Sequence, residues 1–191
     1  MLSRPEGSHV FTAAIPFGSD SITMSFHTGP ADKAAAVGIE EYRRTAIPPE
    51  TEGKIYIPDS ISFMGNMIPI KWISRGAFQF CPGITEVRLP KYLRSISDLA
   101  FEGCTSLREN TIPDSVVWLF PSAFSGCSNL RRIRFLPLTP PRDYNPETFD
   151  KCVYATATLV IPAQSSDAYL HDNVTFRFRY HAEVLPLYPG N

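Results

Sequence analysis

Apolar side chains recur with a period of about 23 residues through the middle of this chain. The segments AFQFCPGI (77–84), AFEGCTSL (100–107) and AFSGCSNL (123–130) carry similar residue types in the same positions. Phe78, Phe101 and Phe124 are therefore equally spaced, and the cysteines and the closing apolar residues keep the same step. Self-similarity at such a period is typical of proteins built from stacked structural repeats. A repeat predicts an architecture much better than it predicts a ligand.

Each unit is predicted to contain one short strand that ends in an apolar residue followed by proline. The strands fall at residues 84–90, 107–113 and 130–137, and a second apolar position recurs at Ile73, Ile96 and Leu119. Adjacent parallel strands lie about 4.8 Å apart, so equivalent side chains of stacked units form columns. Burial of each phenylalanine contributes roughly 1.5–3 kcal/mol, and no unit has another core to use. We therefore predict that the units stack in register and bury the phenylalanines in one row.

The flanks of the repeats are predicted to form caps. Alternating apolar and polar residues predict a hairpin from residues 11–17 and 21–27, whereas residues 29–47 fit either a helix or a strand. A second hairpin around Gly65 lengthens the first unit, since the stretch from Ile57 to Ile73 exceeds the stretch from Leu89 to Ile96 by nine positions. A short helix near residue 165 and a closing strand pair are expected at the end. The predicted organisation is an N-terminal β-rich cap (1–52), a repeat array (53–162) and a C-terminal cap (163–191) in one continuous domain.

The composition narrows the class of function. The chain has 191 residues, a formal net charge of −1 and 19% charged residues, without the basic excess that polyanion-binding proteins usually carry. We therefore expect no nucleic-acid partner, and any electrostatic site must be local. No apolar run approaches the roughly 18 residues that span a bilayer, and the start of the chain lacks the pattern of a secretion leader. The chain as given is expected to be soluble, without a transmembrane segment.

The cysteines and histidines do not indicate a metal or catalytic site. The sequence has no C-x-x-C pair, and the four histidines lie outside the repeats. Stacked cysteines would have parallel Cβ vectors, which disfavour disulfides, so we expect buried free thiols. The chain lacks a G-x-S-x-G motif, and no serine or cysteine has a histidine within its repeat. The sequence therefore predicts a protein without a cofactor, a metal or catalytic residues.

The predicted strands carry the best candidate for a binding site. In register, the columns are Thr85, Arg108 and Arg131; Glu86, Glu109 and Arg132; and Tyr56, Arg88, Thr111 and Arg134. Apolar positions flank the last column on both sides, so it is expected to face solvent with Arg88 and Arg134 about 10 Å apart. Arginine forks bind carboxylates and sulfates, which favours an acidic sugar or an acidic protein loop as ligand. The candidate ligand-binding residues are Tyr56, Arg88, Thr111, Arg134, Arg108 and Arg131. The alternative is an ordinary solvated surface, balanced by Glu86 and Glu109.

The units resemble the BspA-type leucine-rich repeats, in which an isoleucine–proline turn and an A-F segment precede G-C-x-x-L. AFEGCTSL, AFSGCSNL, IPDSI (57–61) and IPDSV (112–116) match this pattern closely. The tail is similar to the C-terminal cap of that family at TPP (139–141), FD (149–150), VIP (160–162) and SDAY (166–169). The resemblance covers about residues 53–187, and the period lies within the range of leucine-rich repeats. The sequence departs from the pattern at Asn110, in a strand position held by Val87 and Ile133, and at Phe80, which replaces the usual glycine before Cys81.

The resemblance implies a fold and a class of function. The fold would be mainly β, a right-handed leucine-rich-repeat solenoid with short parallel strands and turn-like convex segments. The protein would be a surface or secreted protein of gut or oral bacteria, often lipid-anchored through a segment upstream and commonly described as an adhesin, with no catalytic residues. Together with the arginine columns, this predicts a non-enzymatic scaffold that binds a protein or glycan of a host or neighbouring cell through its strand face. The alternative is a structural spacer or self-association module in which the N-terminal hairpin is the working part.

Overall fold

The computed structural model describes residues 9–29, 33–39, 44–144, 146–170, 177–178 and 182–185. Within these ranges the chain is mainly β. In chain order the strands are β1 (Val10–Phe17), β2 (Asp20–Thr28), β3 (Ala35–Val37), β4 (Gly53–Tyr56), β5 (Ser60–Phe63), β6 (Asn66–Ile73), β7 (Ile84–Arg88), β8 (Ser95–Ile96), β9 (Glu109–Ile112), β10 (Trp118–Leu119), β11 (Arg132–Phe135), β12 (Thr158–Pro162) and β13 (Ala182–Leu185). The same ranges contain the short helices α1 (Lys151–Thr156) and α2 (Ser166–Leu170), and a 3-10 turn at Ala163–Ser165 leads into α2.

One sheet, which we call the repeat sheet, collects one strand from each successive unit. Its order is β13-β12-β11-β9-β7-β4, and all its neighbouring strands are parallel. The register pairs Val87 with Asn110 and Asn110 with Ile133. These three side chains are buried, as expected for equivalent positions on the inner face of a sheet. The short strands predicted for the repeat units are therefore confirmed.

A second sheet lies on the other side of the core. Its order is β1-β2-β3-β6-β8-β10, and β5 pairs with β6 off this path. Strands β6, β8 and β10 are parallel, and their register pairs Ile73 with Ile96 and Ile96 with Leu119. All three side chains are fully buried. The second recurring apolar position thus forms a column of its own, as predicted.

The phenylalanine row between the two sheets is confirmed. Ring centroids are 5.1 Å apart for Phe78–Phe101 and for Phe101–Phe124, with interplanar angles of 2° and 11°. Phe149 extends the row at 5.3 Å from Phe124. The backbone repeats with the rings, because the N–H groups of Phe78 and Phe101 each donate at 2.8 Å to the alanine carbonyl of the next unit. Offset ring stacking and full burial therefore bind each unit to its neighbours.

The cysteines form a parallel column with one exception. Cys81, Cys104 and Cys127 are buried free thiols, and the thiols of Cys104 and Cys127 donate at 3.1 Å to the carbonyls of Phe78 and Phe101. Burial raises the pKa of both Cys81 and Cys104 to about 12 and that of Cys127 well above its ordinary value. Cys152 is a free thiol but is exposed, so the prediction of burial is wrong there. The chain enters α1 after Phe149 instead of repeating the inward turn, and this helix carries Cys152 on its solvent side.

The N-terminal hairpin is confirmed and joins the second sheet. Strands β1 and β2 pair antiparallel up to Phe17 and Asp20, which leaves Gly18 and Ser19 as the turn. The ambiguous segment 29–47 contains a strand, because β3 pairs antiparallel with β2 and parallel with β6. The hairpin around Gly65 is also confirmed, with Phe63 opposite Asn66. Both hairpins are thus tied to the strands that cover the core.

The final part of the chain is described only in pieces. The 3-10 turn and α2 correspond to the predicted short helix, and the hydroxyl of the buried Tyr169 donates to the carbonyl of Pro137 at 2.9 Å. Of the predicted closing strand pair, β13 is present in parallel register with β12. The other strand of that pair was predicted in residues that mostly lie outside the described ranges.

Candidate ligand-binding surface

Two rows of side chains cross the outer face of β4, β7, β9 and β11. The register pairs Lys54 with Glu86, Glu86 with Glu109, and Glu109 with Arg132, which defines the charged row. Two residues further along each strand, Tyr56 pairs with Arg88 and Thr111 with Arg134. Because β7 and β9 keep the register of the charged row, Arg88 lies alongside Thr111. We call Tyr56, Arg88, Thr111 and Arg134 the tyrosine–arginine row.

The tyrosine–arginine row lies on the outer face, as the apolar positions on either side indicated. Tyr56 is 42% exposed, and Arg88 and Thr111 are also exposed. Arg134 is half-buried, and its Nε–H is buried without a hydrogen-bond partner among the described residues. Four of the six candidate residues are therefore brought together in one line.

Arg108 and Arg131 stand apart from this line. They precede β9 and β11, where the backbone N–H of Arg131 donates to the carbonyl of Arg108 at 2.8 Å. Both are exposed, and the guanidinium of Arg131 donates to the carbonyls of Ser128 and Leu130 at 2.9 and 3.2 Å. Neither residue lines the groove described next. The structure therefore places these two candidates outside the row.

A groove of about 450 Å³ crosses the face over β7, β9 and β11. Cavities of this size are common for small ligands and for short stretches of larger ones. The strands line it with Glu86, Arg88, Glu109, Thr111, Arg132 and Arg134. The segments that follow the strands add Lys91, Asp114 and the apolar residues Leu89, Pro113 and Leu136. Both signs of charge are therefore present, because the arginines of the tyrosine–arginine row and the glutamates of the charged row lie in neighbouring rows of the same face.

Asp59 contacts two residues that line the groove, Arg88 and Lys91. The sequence did not indicate it as a site residue. Its carboxylate accepts a hydrogen bond from the backbone N–H of Lys91 at 2.9 Å and lies 3.4 Å from Lys91 Nζ and 4.0 Å from the guanidinium of Arg88. The neighbouring Tyr92 side chain, and then Asp59, raise the pKa of Lys91. One feature of the sequence could have indicated this contact. Asp59, Lys91 and Asp114 occupy equivalent positions, because each follows the apolar–proline pair of its unit.

The charged row is partly neutralised at its outer end. Lys54 Nζ lies 2.7 Å from Glu86, which raises the pKa of the lysine. The lysine side chain is 59% exposed, so this pair contributes little to stability. The pair leaves Glu109, which is exposed, as the more available anion of the two glutamates.

Within the described ranges, no three histidine, cysteine or carboxylate side chains gather closely enough to hold a metal ion. No helix within those ranges is long and apolar enough to cross a membrane.

Parallel strands that step from unit to unit over a row of buried phenylalanines define a β-rich repeat protein with an open strand face. The sequence profile of the BspA type leucine rich repeat region matches residues 54–170 in six copies. The chain therefore belongs to the BspA-type leucine-rich-repeat family.

Solved structures of leucine-rich repeat proteins resemble this chain. A leucine-rich repeat protein from Bacteroides ovatus is 27% identical, with a TM-score of 0.54 over 77% of this chain, and it supports the same fold. This chain spans 41% of the length of that protein. A leucine-rich repeat protein from Bacteroides capillosus is 23% identical, with a TM-score of 0.34 over 54% of this chain and 84% of its own length. A leucine rich cell surface protein from Faecalibacterium prausnitzii is 17% identical, with a TM-score of 0.32 over 78% of this chain and 54% of its own length. A search of curated proteins finds no significant match.

Proposed function

We propose that the protein is a non-enzymatic recognition scaffold that binds a protein or a glycan through the outer face of the repeat sheet. The observation that carries this proposal is the tyrosine–arginine row, which presents an aromatic ring, two guanidinium groups and a hydroxyl in one line beside a groove of about 450 Å³. Open sheet faces made of regularly spaced side chains are the binding surfaces of repeat proteins in general.

The architecture proposed for this scaffold is a right-handed solenoid with a step of about 23 residues. Residues 53–162 would form the repeat array, between an N-terminal cap (1–52) and a C-terminal cap (163–191). The parallel repeat sheet and the stacked phenylalanines support a regular array. In this arrangement the caps cover the ends of the apolar core, which stacked repeats need for solubility.

We further propose that the protein works at the cell surface or outside the cell, as an adhesin held by a lipid anchor or released. This location rests on membership of the family. The partners in that setting are proteins or glycans of a host or of neighbouring cells.

The test is capture of ligands from a glycan array and from immobilised host surface proteins. The variant Arg88→Ala/Arg134→Ala removes both cations of the row, and we expect it to lose capture of whatever the wild type binds. The matched control is Arg75→Ala/Arg94→Ala, which removes two exposed arginines that do not line the groove. Equal capture by wild type and by the row variant would reject this face as the site.

A second candidate function is self-association, and one observation favours it. Strand β1 stands at the end of its sheet among the described strands, with β2 as its partner. A sheet edge of eight residues offers backbone groups for pairing with another strand. Light scattering over a range of concentrations tests this alternative. A mass that stays at the monomer value rejects it.

A further inference from the structure

The spacing of the tyrosine–arginine row sets the spacing of the groups that it can bind. Each strand contributes one side chain, and neighbouring strands lie about 4.8 Å apart. Arg88 and Arg134 are two strands apart with Thr111 between them, so their separation along the row is about 9.6 Å. Tyr56 lies one strand beyond Arg88. The row therefore presents two cations that are separated by two strand spacings.

The two cations are available to a ligand. Arg134 is half-buried, and the described residues provide no ion pair for its guanidinium group. Arg88 is 55% exposed, and its contact with Asp59 is long at 4.0 Å. A guanidinium group that has only weak ion pairs within its own protein can bind the carboxylate of a ligand through two parallel hydrogen bonds.

An extended peptide fits this spacing poorly. Side chains on one face of a peptide strand are two residues apart, about 6.7 Å, which falls between one and two strand spacings. An acidic peptide laid across the sheet would therefore match one arginine at a time. A linear chain of pyranose sugars fits better, because each sugar advances by a length comparable to the spacing of one strand.

We propose that the tyrosine–arginine row binds a linear acidic oligosaccharide with a carboxylate on every second sugar. The two carboxylates lie on Arg88 and Arg134, the sugar between them lies beside the Thr111 hydroxyl, and a further ring stacks on Tyr56. This inference rests on the proposed function and names the ligand class of the same face. A carboxylate on alternate sugars is a low charge density, which suits a chain of net charge −1 whose tyrosine–arginine row contributes two cations.

The acidic residues around the row restrict where such a ligand can lie. Glu86 and Glu109 belong to the neighbouring charged row. They repel a ligand carboxylate that lies closer to that row than to the arginines. Asp59 competes with the ligand for Arg88 and for Lys91, whose Nζ lies 3.4 Å from it. Asp59 should therefore lower the affinity for the oligosaccharide, whereas Arg88 and Arg134 should raise it.

The probe is a hyaluronan hexasaccharide, which alternates uronate and neutral sugars, and binding is measured by calorimetry on the full chain. The first comparison uses the same hexasaccharide with its carboxyl groups reduced to alcohols, and we expect binding to weaken at least about tenfold. Arg88→Ala and Arg134→Ala should each weaken binding by about tenfold or more, while Arg75→Ala should leave it unchanged. Tyr56→Phe should retain binding and Tyr56→Ala should weaken it, because the ring rather than the hydroxyl stacks on the sugar.

The variant Asp59→Asn separates a binding role from a structural one. Removal of the competing charge should strengthen binding of the hexasaccharide by about threefold. If Asp59 only held the turn in shape, the same variant would weaken binding. Circular dichroism of each variant checks that the fold is retained.

The outcomes distinguish this inference from the proposed function. Equal binding of the carboxyl-reduced sugar, or tighter binding of a hexaglutamate peptide through the same arginines, overturns the inference and leaves the face as a site for another ligand. If no hexasaccharide binds but Arg88→Ala/Arg134→Ala loses a ligand found in the screens, the inference fails and the proposed function stands. If neither the hexasaccharide nor any screened ligand depends on these arginines, both fail.

Discussion

Phe80 occupies a backbone position that its counterparts in the next two units fill with glycine. Its φ is +54°, and Gly103 and Gly126 both have φ of +72°. The left-handed conformation costs a residue with a Cβ roughly 1–2 kcal/mol, and the Phe80 side chain is 61% exposed, so it contributes little burial. We expect Phe80→Gly to raise the free energy of unfolding by about 1 kcal/mol and Tm by about 2–4 °C in thermal denaturation.

Phe80→Ala is the control for this prediction, because it keeps the Cβ and the strain. It should stay within about 0.5 kcal/mol of the wild type. The Phe80 ring also covers Gly103, where an added Cβ would lie 2.6 Å from the ring. A clear loss of stability in both variants would show that this contact outweighs the strain and would contradict the prediction.

Asn110 is the second departure from the repeat pattern, in an inner strand position. Its Oδ1 is buried without a hydrogen-bond partner among the described residues, and its Nδ2 donates to the Val87 carbonyl at a long 3.5 Å. An unsatisfied buried acceptor costs about 1–3 kcal/mol. Asn110→Val, which copies the residue of the preceding strand, should therefore stabilise the protein by about 1 kcal/mol in urea denaturation. Asn110→Asp should destabilise it, and a less stable Asn110→Val protein would show that the amide is well satisfied.

The phenylalanine row is the element that joins successive units. Phe101 is fully buried and stacks on Phe78 and Phe124, both at 5.1 Å. Phe101→Ala should lower the free energy of unfolding by about 3–5 kcal/mol, because it removes the ring and leaves a cavity between two rings. Phe101→Leu should cost less, since it fills part of that space. A loss below about 1 kcal/mol for Phe101→Ala would mean that the ring does not hold the units together.

The thiol column makes stability depend on pH in alkaline solution. Burial raises the pKa of Cys104 from an ordinary value of about 9.0 to about 12, so the folded protein keeps a proton that the unfolded chain loses above pH 9. Stability therefore falls as the pH rises, and this thiol alone costs about 1.4 kcal/mol by pH 10. Cys104→Ala should lose about 1.4 kcal/mol less than the wild type between pH 8 and pH 10. Cys152→Ala, at an exposed position, should behave as the wild type, and equal pH dependence in all three proteins would contradict this account.

Elements that repeat were predictable, and elements that break the repeat were not. The burial of Phe78, Phe101 and Phe124 in one row could be predicted, because the three residues occupy the same position in successive units. Cys152 occupies the equivalent fourth position but is exposed, since α1 replaces the turn there. The sequence of residues 35–37 is compatible with a helix or a strand. These residues form a strand because they pair with β2 and β6.

The candidate site was predictable in part for the same reason. The tyrosine–arginine row follows from register and the two-residue alternation of strands. Asp59 lies 32 residues before Lys91, and only the folded turns bring the two side chains together. The sequence already placed Arg108 and Arg131 in a column of their own, but it could not show that this column precedes β9 and β11 and lies outside the groove, because the residue at which each strand begins is set by the pairing of the folded chain.

At the scale of the whole molecule, the proposed solenoid makes both the core and the proposed binding surface depend on one constant repeat length. Insertion of a second copy of residues 101–123 after Ala123 should add one unit and therefore one strand to each sheet. It should also add one ring to the phenylalanine row and one position to the tyrosine–arginine row. In a regular array, stability is approximately a sum over units and their interfaces.

The most direct test is urea denaturation of this longer chain beside a chain that carries the same inserted segment in reversed order. We predict a single cooperative transition for the matched insertion, with a free energy of unfolding equal to or above that of the wild type. The reversed insertion should unfold at a lower urea concentration. If the two insertions destabilise the protein equally, the units do not stack through a shared repeat length.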